Sequence, residues 1–103
     1  MASSIRVRAT ASGDTTEVQA LIQHPMDSGF VKDSKGELIP PHYIEVLEFE
    51  HAGKVVFTCL WGPAVSKDPC VKFSFKGGKK GDDLKVSWID SKGATDTTTA
   101  KIV

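Results

Sequence analysis

Histidine, methionine and cysteine are the residues of this chain whose types could do chemistry. His24 and Met26 stand two residues apart and offer an imidazole nitrogen and a thioether sulfur, both of which are ligands for a copper ion. The other two histidines, His42 and His51, are separated from this pair and from each other. Since the spacing of the histidines gives no compact ligand pair, we predict that the chain holds no metal and no cofactor.

One specific metal site can be tested against the histidine count. The iron centre of superoxide reductase, which lies on an immunoglobulin-like sandwich, needs four histidines and one cysteine. This chain has three histidines. Paired carboxylates at a defined spacing, a Ser-His-Asp arrangement and a phosphate-binding loop are not visible either. We therefore predict that the protein is not an enzyme.

The two cysteines, Cys59 and Cys70, are too few for a disulfide scaffold. Strand alternation places Cys59 on one face with Val55, Phe57 and Trp61, where we expect burial, and places Cys70 on the outward face. One sulfur would then point into the core and the other into water, so we predict no disulfide between them within one chain. The sequence does not assign either cysteine a role.

Length and charge limit the class of protein. The 103 residues predict a single domain over 1–103, and the 13 basic residues balance the 13 acidic ones. A neutral chain without a basic run argues against nucleic acid and against anionic membranes as partners. The beginning of the sequence has no secretory pattern, which alone predicts a cytoplasmic protein or one exported with a partner that carries the signal.

Alternating apolar and polar residues dominate the chain, and no stretch keeps a helical period. Turn signals separate the alternating segments at short intervals. This pattern predicts an all-β chain with about seven strands in an immunoglobulin-like antiparallel β-sandwich. The predicted strands are Ile5–Ala9, Thr16–Ile22, His42–Glu50, Lys54–Trp61, Cys70–Lys76, Asp83–Asp90 and Thr95–Val103.

The segment Leu21–Pro41 interrupts the strand pattern. Prolines bound it, and Asp33–Gly36 has the composition of a tight turn, with Asp first and Gly last. Irregular segments on a rigid β scaffold often carry function, and apolar side chains within them can anchor a partner. We predict that the partner-binding residues are His24, Met26, Phe30, Ile39 and Trp61.

That segment contains the ordered motif His24-Pro-Met-Asp-Ser-Gly29, followed by Lys32-Asp33, Gly36 and Ile39-Pro40. In this motif the chain resembles the SoxZ family, a subunit of the bacterial thiosulfate-oxidising Sox system. Further similar stretches are Gly53–Phe57, Pro63–Ser66 with Pro69, and Trp88–Asp90 with Gly93.

This resemblance implies an immunoglobulin-like sandwich that forms a heterodimer with SoxY, the subunit whose terminal cysteine carries the sulfur intermediate. It implies a non-catalytic scaffold that presents the carrier transiently to SoxAX, SoxB and, where present, SoxCD. It also implies a periplasmic location reached by co-export with SoxY. The alternative is a generic immunoglobulin-like protein-binding domain. The sequence leaves open whether the isolated chain forms a homodimer.

Overall fold

The computed structural model describes residues 4–62, 64–65 and 67–103, and these residues form seven strands. Residues 1–3 of the predicted domain, and Pro63 and Ser66 of the stretch similar to SoxZ, lie outside the described residues. Among the described residues no helix is long and apolar enough to span a membrane. The strands are β1 (Ile5–Ser12), β2 (Thr15–Ile22), β3 (Ile44–His51), β4 (Lys54–Leu60), β5 (Cys70–Lys76), β6 (Asp83–Asp90) and β7 (Thr95–Lys101).

The strands pair into two antiparallel sheets, of order β1-β2-β5 and β4-β3-β6-β7. Side chains that alternate in the sequence alternate across these sheets, as the pleat requires. The inward residues of β2 are Thr16, Val18, Ala20 and Ile22, and those of β6 are Leu84, Val86, Trp88 and Asp90. Together with Leu47 and Phe49 of β3 they fill the space between the sheets. The predicted antiparallel sandwich of about seven strands is confirmed.

Bulges change the predicted alternation in two strands. In β3, Ile44 pairs with Asp90 and Val46 with Ile89, so Glu45 is the additional residue. This bulge lets both Ile44 and Leu47 point inward.

The alternation predicted for β4 is wrong at its beginning. Phe49 pairs with Phe57 and Glu50 pairs with Val55, which leaves Val56 as an additional residue between them. The shift turns Val55 outward, where it is 50% exposed, and Val56 packs against the core instead. The strand also ends at Leu60, one residue before Trp61.

The two long edges of the sandwich differ. At one edge, the end of the chain pairs with β1 through a parallel bridge between Ala9 and Ile102, and the amide of Ala11 donates to the carbonyl oxygen of Val103 at 2.8 Å. At the other edge, β4 and β5 each pair on one side only. There Phe57 of β4 stacks on Phe73 of β5, with 4.2 Å between the ring centroids.

Candidate functional site

Residues 23–43, which we call the arm, join β2 to β3. The molecule measures 53 × 24 × 20 Å, whereas a strand of eight residues spans about 27 Å, so segments beyond the strand ends account for much of its length. The arm is a short two-stranded ribbon. Asp27 and His42 exchange two backbone hydrogen bonds of 2.9 Å near its base, and the amide of Ile39 donates to the carbonyl oxygen of Val31 at 2.8 Å further out.

Asp33 organises the turn at the tip of the arm, as the sequence predicted. One of its carboxylate oxygens accepts hydrogen bonds from the amides of Lys35 at 2.8 Å and Glu37 at 3.0 Å. Its carbonyl oxygen accepts the amide of Gly36 at 3.0 Å, and Gly36 has a φ of +81°. The turn is therefore closed by its own backbone and one side chain, and its four residues are exposed.

Asp90 holds both ends of the arm at its base. Its Oδ2 atom lies 2.9 Å from His24 Nε2 and 2.8 Å from His42 Nε2. Its Oδ1 atom accepts the backbone amides of Lys92 at 3.0 Å and Ala94 at 2.9 Å. The side chain of Asp90 is 1% exposed. We call Asp90 with His24 and His42 the carboxylate hub; it joins the two ends of the arm to the turn that follows β6.

The strands bring the three hub residues together. His24 follows the last residue of β2 by two positions, and His42 precedes the first residue of β3 by two. Asp90 is the last residue of β6. It points inward with Trp88, because residues two positions apart on a strand lie on the same face. Since β3 pairs with β6, the residues that lead into β3 pass beside Asp90.

The hydrogen bonds of the hub set the charge of its carboxyl group. Burial raises the pKa of Asp90, but hydrogen bonds from His24, His42 and the amides of Ala94 and Lys92 outweigh burial and lower the pKa to about 2. Asp90 is therefore ionised over the whole physiological range. The buried carboxylate is an acceptor for four donors, which is what a buried charge requires.

Aromatic and sulfur contacts complete the base of the arm. The ring of His24 packs edge-on against Trp88, with 4.7 Å between the centroids, and against His42, with 4.6 Å. Both ring nitrogens of His24 face oxygen atoms, because Nδ1 also contacts the carbonyl oxygen of Pro25. The sulfur of Met26 accepts the amide of Ile44 at 3.4 Å. These contacts make His24 and Met26 internal anchors of the arm.

The five residues predicted to bind a partner divide into two groups. His24 and Met26 are 4% and 8% exposed, so little of either side chain is accessible in this structure. Phe30 is 83% exposed on the arm, and Ile39 and Trp61 are partly buried. For all five residues, contact with a partner stays a prediction. The structure adds Val31 and Leu38, which are 56% and 59% exposed on the same arm.

The expectation that the histidines are dispersed is wrong for two of the three. His24 and His42 meet at Asp90, although 18 positions separate them in the sequence. Sequence reasoning missed His42 and Asp90. The inward parity of Asp90 with Leu84, Val86 and Trp88 was the available signal, because a buried carboxylate requires donors nearby.

The hub is also the group of described residues with the composition of a metal site. One atom from each of His24, His42 and Asp90 lies within 4.8 Å of the others, and two imidazoles with a carboxylate suit zinc or copper. In the structure the same atoms are spaced as hydrogen-bond partners. That the protein binds no metal stays a prediction. His51 pairs with Asp82 at 2.9 Å instead, so the superoxide reductase centre does not fit these residues.

The two cysteines lie on different sheets as free thiols. Cys59 on β4 is partly buried, and burial raises the pKa of its thiol. Cys70 on β5 is exposed. The predicted orientations, one inward and one outward, are confirmed.

Comparison with known protein families shows to which family this chain belongs. The family described as "Sulphur oxidation protein SoxZ" matches residues 5–101, which include the arm and the hub. The chain belongs to the SoxZ family. No curated protein sequence matches it. As a SoxZ-family member it is a protein of the Sox sulfur-oxidation system.

Solved structures show what the SoxZ-family fold is similar to. A reduced form of superoxide reductase (neelaredoxin) from Archaeoglobus fulgidus matches with a TM-score of 0.65 and 17% identity, over 95% of this chain and 86% of that one. A superoxide reductase in the oxidised state matches with a TM-score of 0.63 and 14% identity, over 98% of this chain and 88% of that one. At these identities the likeness concerns the fold alone.

Proposed function

We propose that this chain is the non-catalytic scaffold subunit of a SoxYZ sulfur-carrier complex in thiosulfate oxidation. The observation that carries the proposal is the SoxZ-family match over residues 5–101. In this function the chain holds a SoxY subunit, and SoxAX, SoxB and SoxCD, where present, bind the complex transiently. The chain reaches the periplasm together with SoxY, whose signal peptide serves both subunits.

The arm supports the proposal because its apolar side chains lack cover. Phe30, Val31 and Leu38 are all more than half exposed, and Phe30 has the largest exposed fraction among them. A two-stranded ribbon is marginally stable in water by itself, and exposed apolar side chains on such a ribbon mark an interaction surface. The hub holds the base of the ribbon, so a partner meets an arm whose direction is already set.

Gly29 helps to fix that direction. It has a φ of +88°, and a Cβ atom at this position would lie 3.2 Å from the ring of Pro41 on the opposite side of the arm. The two sides of the ribbon therefore approach each other here at a distance that glycine allows. A rigid base reduces the entropy that is lost when the arm binds a partner.

Co-purification with a SoxY subunit tests the proposal. We expect the wild type to form a stable heterodimer and, by itself, to show no oxidation of thiosulfate. Phe30→Ala or Ile39→Ala should weaken the heterodimer by about 2 kcal/mol or more, if each is an anchor. Val55→Ala, an exposed apolar truncation on β4, is the matched control and should bind like wild type.

Calorimetry separates the outcomes. A wild type that binds SoxY while both arm variants bind equally well would move the interface away from the arm. A wild type that does not bind SoxY at all would favour the alternative, a generic immunoglobulin-like protein-binding domain. Thermal unfolding of each variant ensures that a loss of binding is not a loss of folding.

A further inference from the structure

The outward face of the three-stranded sheet carries a positive charge that the composition of the whole chain conceals. Four of its side chains are cationic and one is acidic. Reading β1, β2 and β5 in turn, the outward residues are Arg6, Arg8, Thr10, Ser12, Thr15, Glu17, Gln19, Leu21, Cys70, Lys72, Ser74 and Lys76. All of them are exposed except Thr15, which is half-buried.

The cations concentrate at the end of the sheet that lies next to the arm. The registers place Arg6, Leu21 and Cys70 in one row across the three strands, and Arg8, Gln19 and Lys72 in the next row. Arg6, Arg8, Leu21 and Cys70 line a shallow depression there. We call the surface formed by Arg6, Arg8 and Lys72 the cationic face.

The three cations of the cationic face form no direct ion pair with another described residue, and Glu17 is the one acidic side chain on the same side of the sheet. Among the described residues, no carboxylate lies within ion-pair distance of Arg6, Arg8 or Lys72, whereas Lys85 and Lys101 on the other sheet pair with Glu50 and Asp83. Uncompensated like charges that share one face repel each other. A ligand with carboxylates would relieve this repulsion.

We infer that the cationic face docks an extended acidic segment of a protein partner. Arg6 and Arg8 project from the same face of β1. They are two residues apart, so their Cα atoms are separated by about 6.7 Å along the strand. An extended partner segment with a carboxylate at every second residue repeats at the same interval. Each guanidinium can bind a carboxylate through two hydrogen bonds. Lys72 lies about 10 Å from Arg8 across the sheet and extends the positive potential of the face. Its ammonium group acts as a point charge, so it does not need the two-hydrogen-bond geometry of a guanidinium.

Nucleic acid fits this face less well. The outward residues of the three strands include no aromatic side chain on which a base could stack. The patch is also small, and the chain as a whole has no net charge. A short protein segment with carboxylates at every second residue matches the small size of the patch and the spacing of its cations.

This inference extends the proposed function: the identity of the partner that docks on the cationic face depends on the chain being a scaffold subunit. A scaffold that presents a carrier to several enzymes needs a surface for short-lived encounters, distinct from the surface that holds the carrier subunit. Charge complementarity raises the rate of association and weakens as the salt concentration rises, which suits such encounters.

Binding of a synthetic ten-residue peptide, in which glutamate alternates with serine, tests the inference by fluorescence anisotropy. The triple variant Arg6→Gln, Arg8→Gln, Lys72→Gln should bind the peptide about tenfold more weakly than wild type, since each exposed ion pair contributes a fraction of a kcal/mol. The triple variant Lys35→Gln, Lys80→Gln, Lys92→Gln removes the same charge from exposed positions elsewhere and should change the affinity by less than about twofold.

Alkylation of Cys70 gives a second readout, because this exposed thiol lies within the face and Cys59 on the other sheet is an internal reference. The peptide should slow alkylation of Cys70 and leave Cys59 unchanged. Equal losses in the two triple variants, no protection of Cys70, or tighter binding of a ten-nucleotide single-stranded DNA than of the peptide would each overturn the inference.

Co-purification with SoxY separates this inference from the proposed function. If the triple variant of Arg6, Arg8 and Lys72 still forms the heterodimer but the wild type does not bind the peptide, only the docking inference is refuted. If wild type binds the peptide at the cationic face but forms no heterodimer, the docking inference stands and the scaffold function is refuted.

Discussion

The sandwich body and the arm differ in what surrounds their large side chains. In the body, Phe49 is fully buried and its ring contacts Phe73, with 4.7 Å between the centroids. In the arm, Phe30 has the same chemistry and is 83% exposed. The body is held together by apolar surface removed from water, whereas the arm is held by backbone hydrogen bonds and, at its base, by the polar hub and the buried Met26.

This difference shows where stability and recognition lie in the molecule. Residues that stabilise the body are hidden from any partner, and the residues of the arm that a partner could contact contribute little to folding. The hub connects the two regions, because Asp90 belongs to the body while His24 and His42 belong to the arm. Substitution of an exposed arm residue should therefore leave the body folded, whereas substitution within the hub should affect both regions.

The largest contrast is expected from the same substitution in the two regions. Phe49→Ala should lower the free energy of unfolding by about 4 kcal/mol, because it leaves a cavity between the sheets. Phe30→Ala should change it by less than about 0.5 kcal/mol, because water already surrounds that ring. Chemical denaturation measures both values. Similar losses in the two variants would contradict the division into body and arm.

The hub should give the next largest effect. Asp90→Ala leaves two imidazoles and two backbone amides without their acceptor, and we expect a loss of about 3 kcal/mol in the free energy of unfolding. Asp90→Asn is the matched control. Its amide oxygen can accept the amides of Lys92 and Ala94, and its NH₂ group can donate to the two imidazoles, so its loss should be smaller. Equal losses would mean that the charge, and not the hydrogen bonding, holds the base of the arm.

Acid should weaken the hub in a defined range. The pKa of Asp90 is lowered to about 2 in the folded protein from its ordinary value of 3.8, so its contribution is complete above about pH 4. That contribution, about 2 kcal/mol, is lost as the pH falls from about 4 to about 2. Denaturation curves of wild type and Asp90→Asn over this range isolate it, because the other carboxyl groups titrate in both. Parallel curves would show that Asp90 is not the group responsible.

The smallest effect is expected at the tip of the arm. Asp33→Ala removes the carboxylate that accepts the amides of Lys35 and Glu37, yet these contacts lie outside the core. Hydrogen exchange at these two amides should become about fivefold faster, while the global free energy of unfolding should change by less than about 0.5 kcal/mol. A large global change would show that the tip is coupled to the body.

Much of the body could be predicted from the sequence because the period of a strand is local. The alternation in β2, β5 and β6 is regular, and which residues of each strand share a face follows from their positions alone. The turn Asp33–Gly36 was likewise predictable from its own residues. The beginning of β4 was not predictable, because its bulge depends on how Phe49 and Glu50 pair with the neighbouring strand.

The carboxylate hub was decided by the tertiary structure. His24, His42 and Asp90 are far apart in the chain, and no local pattern relates them. They meet because β3 pairs with β6 and because the arm begins and ends beside that pair of strands. The cationic face has the same origin, since Lys72 joins Arg6 and Arg8 only when β5 pairs with β2. The sequence alone thus determined the residue types and the face of each strand on which they lie. The pairing of distant strands created both the carboxylate hub and the cationic face.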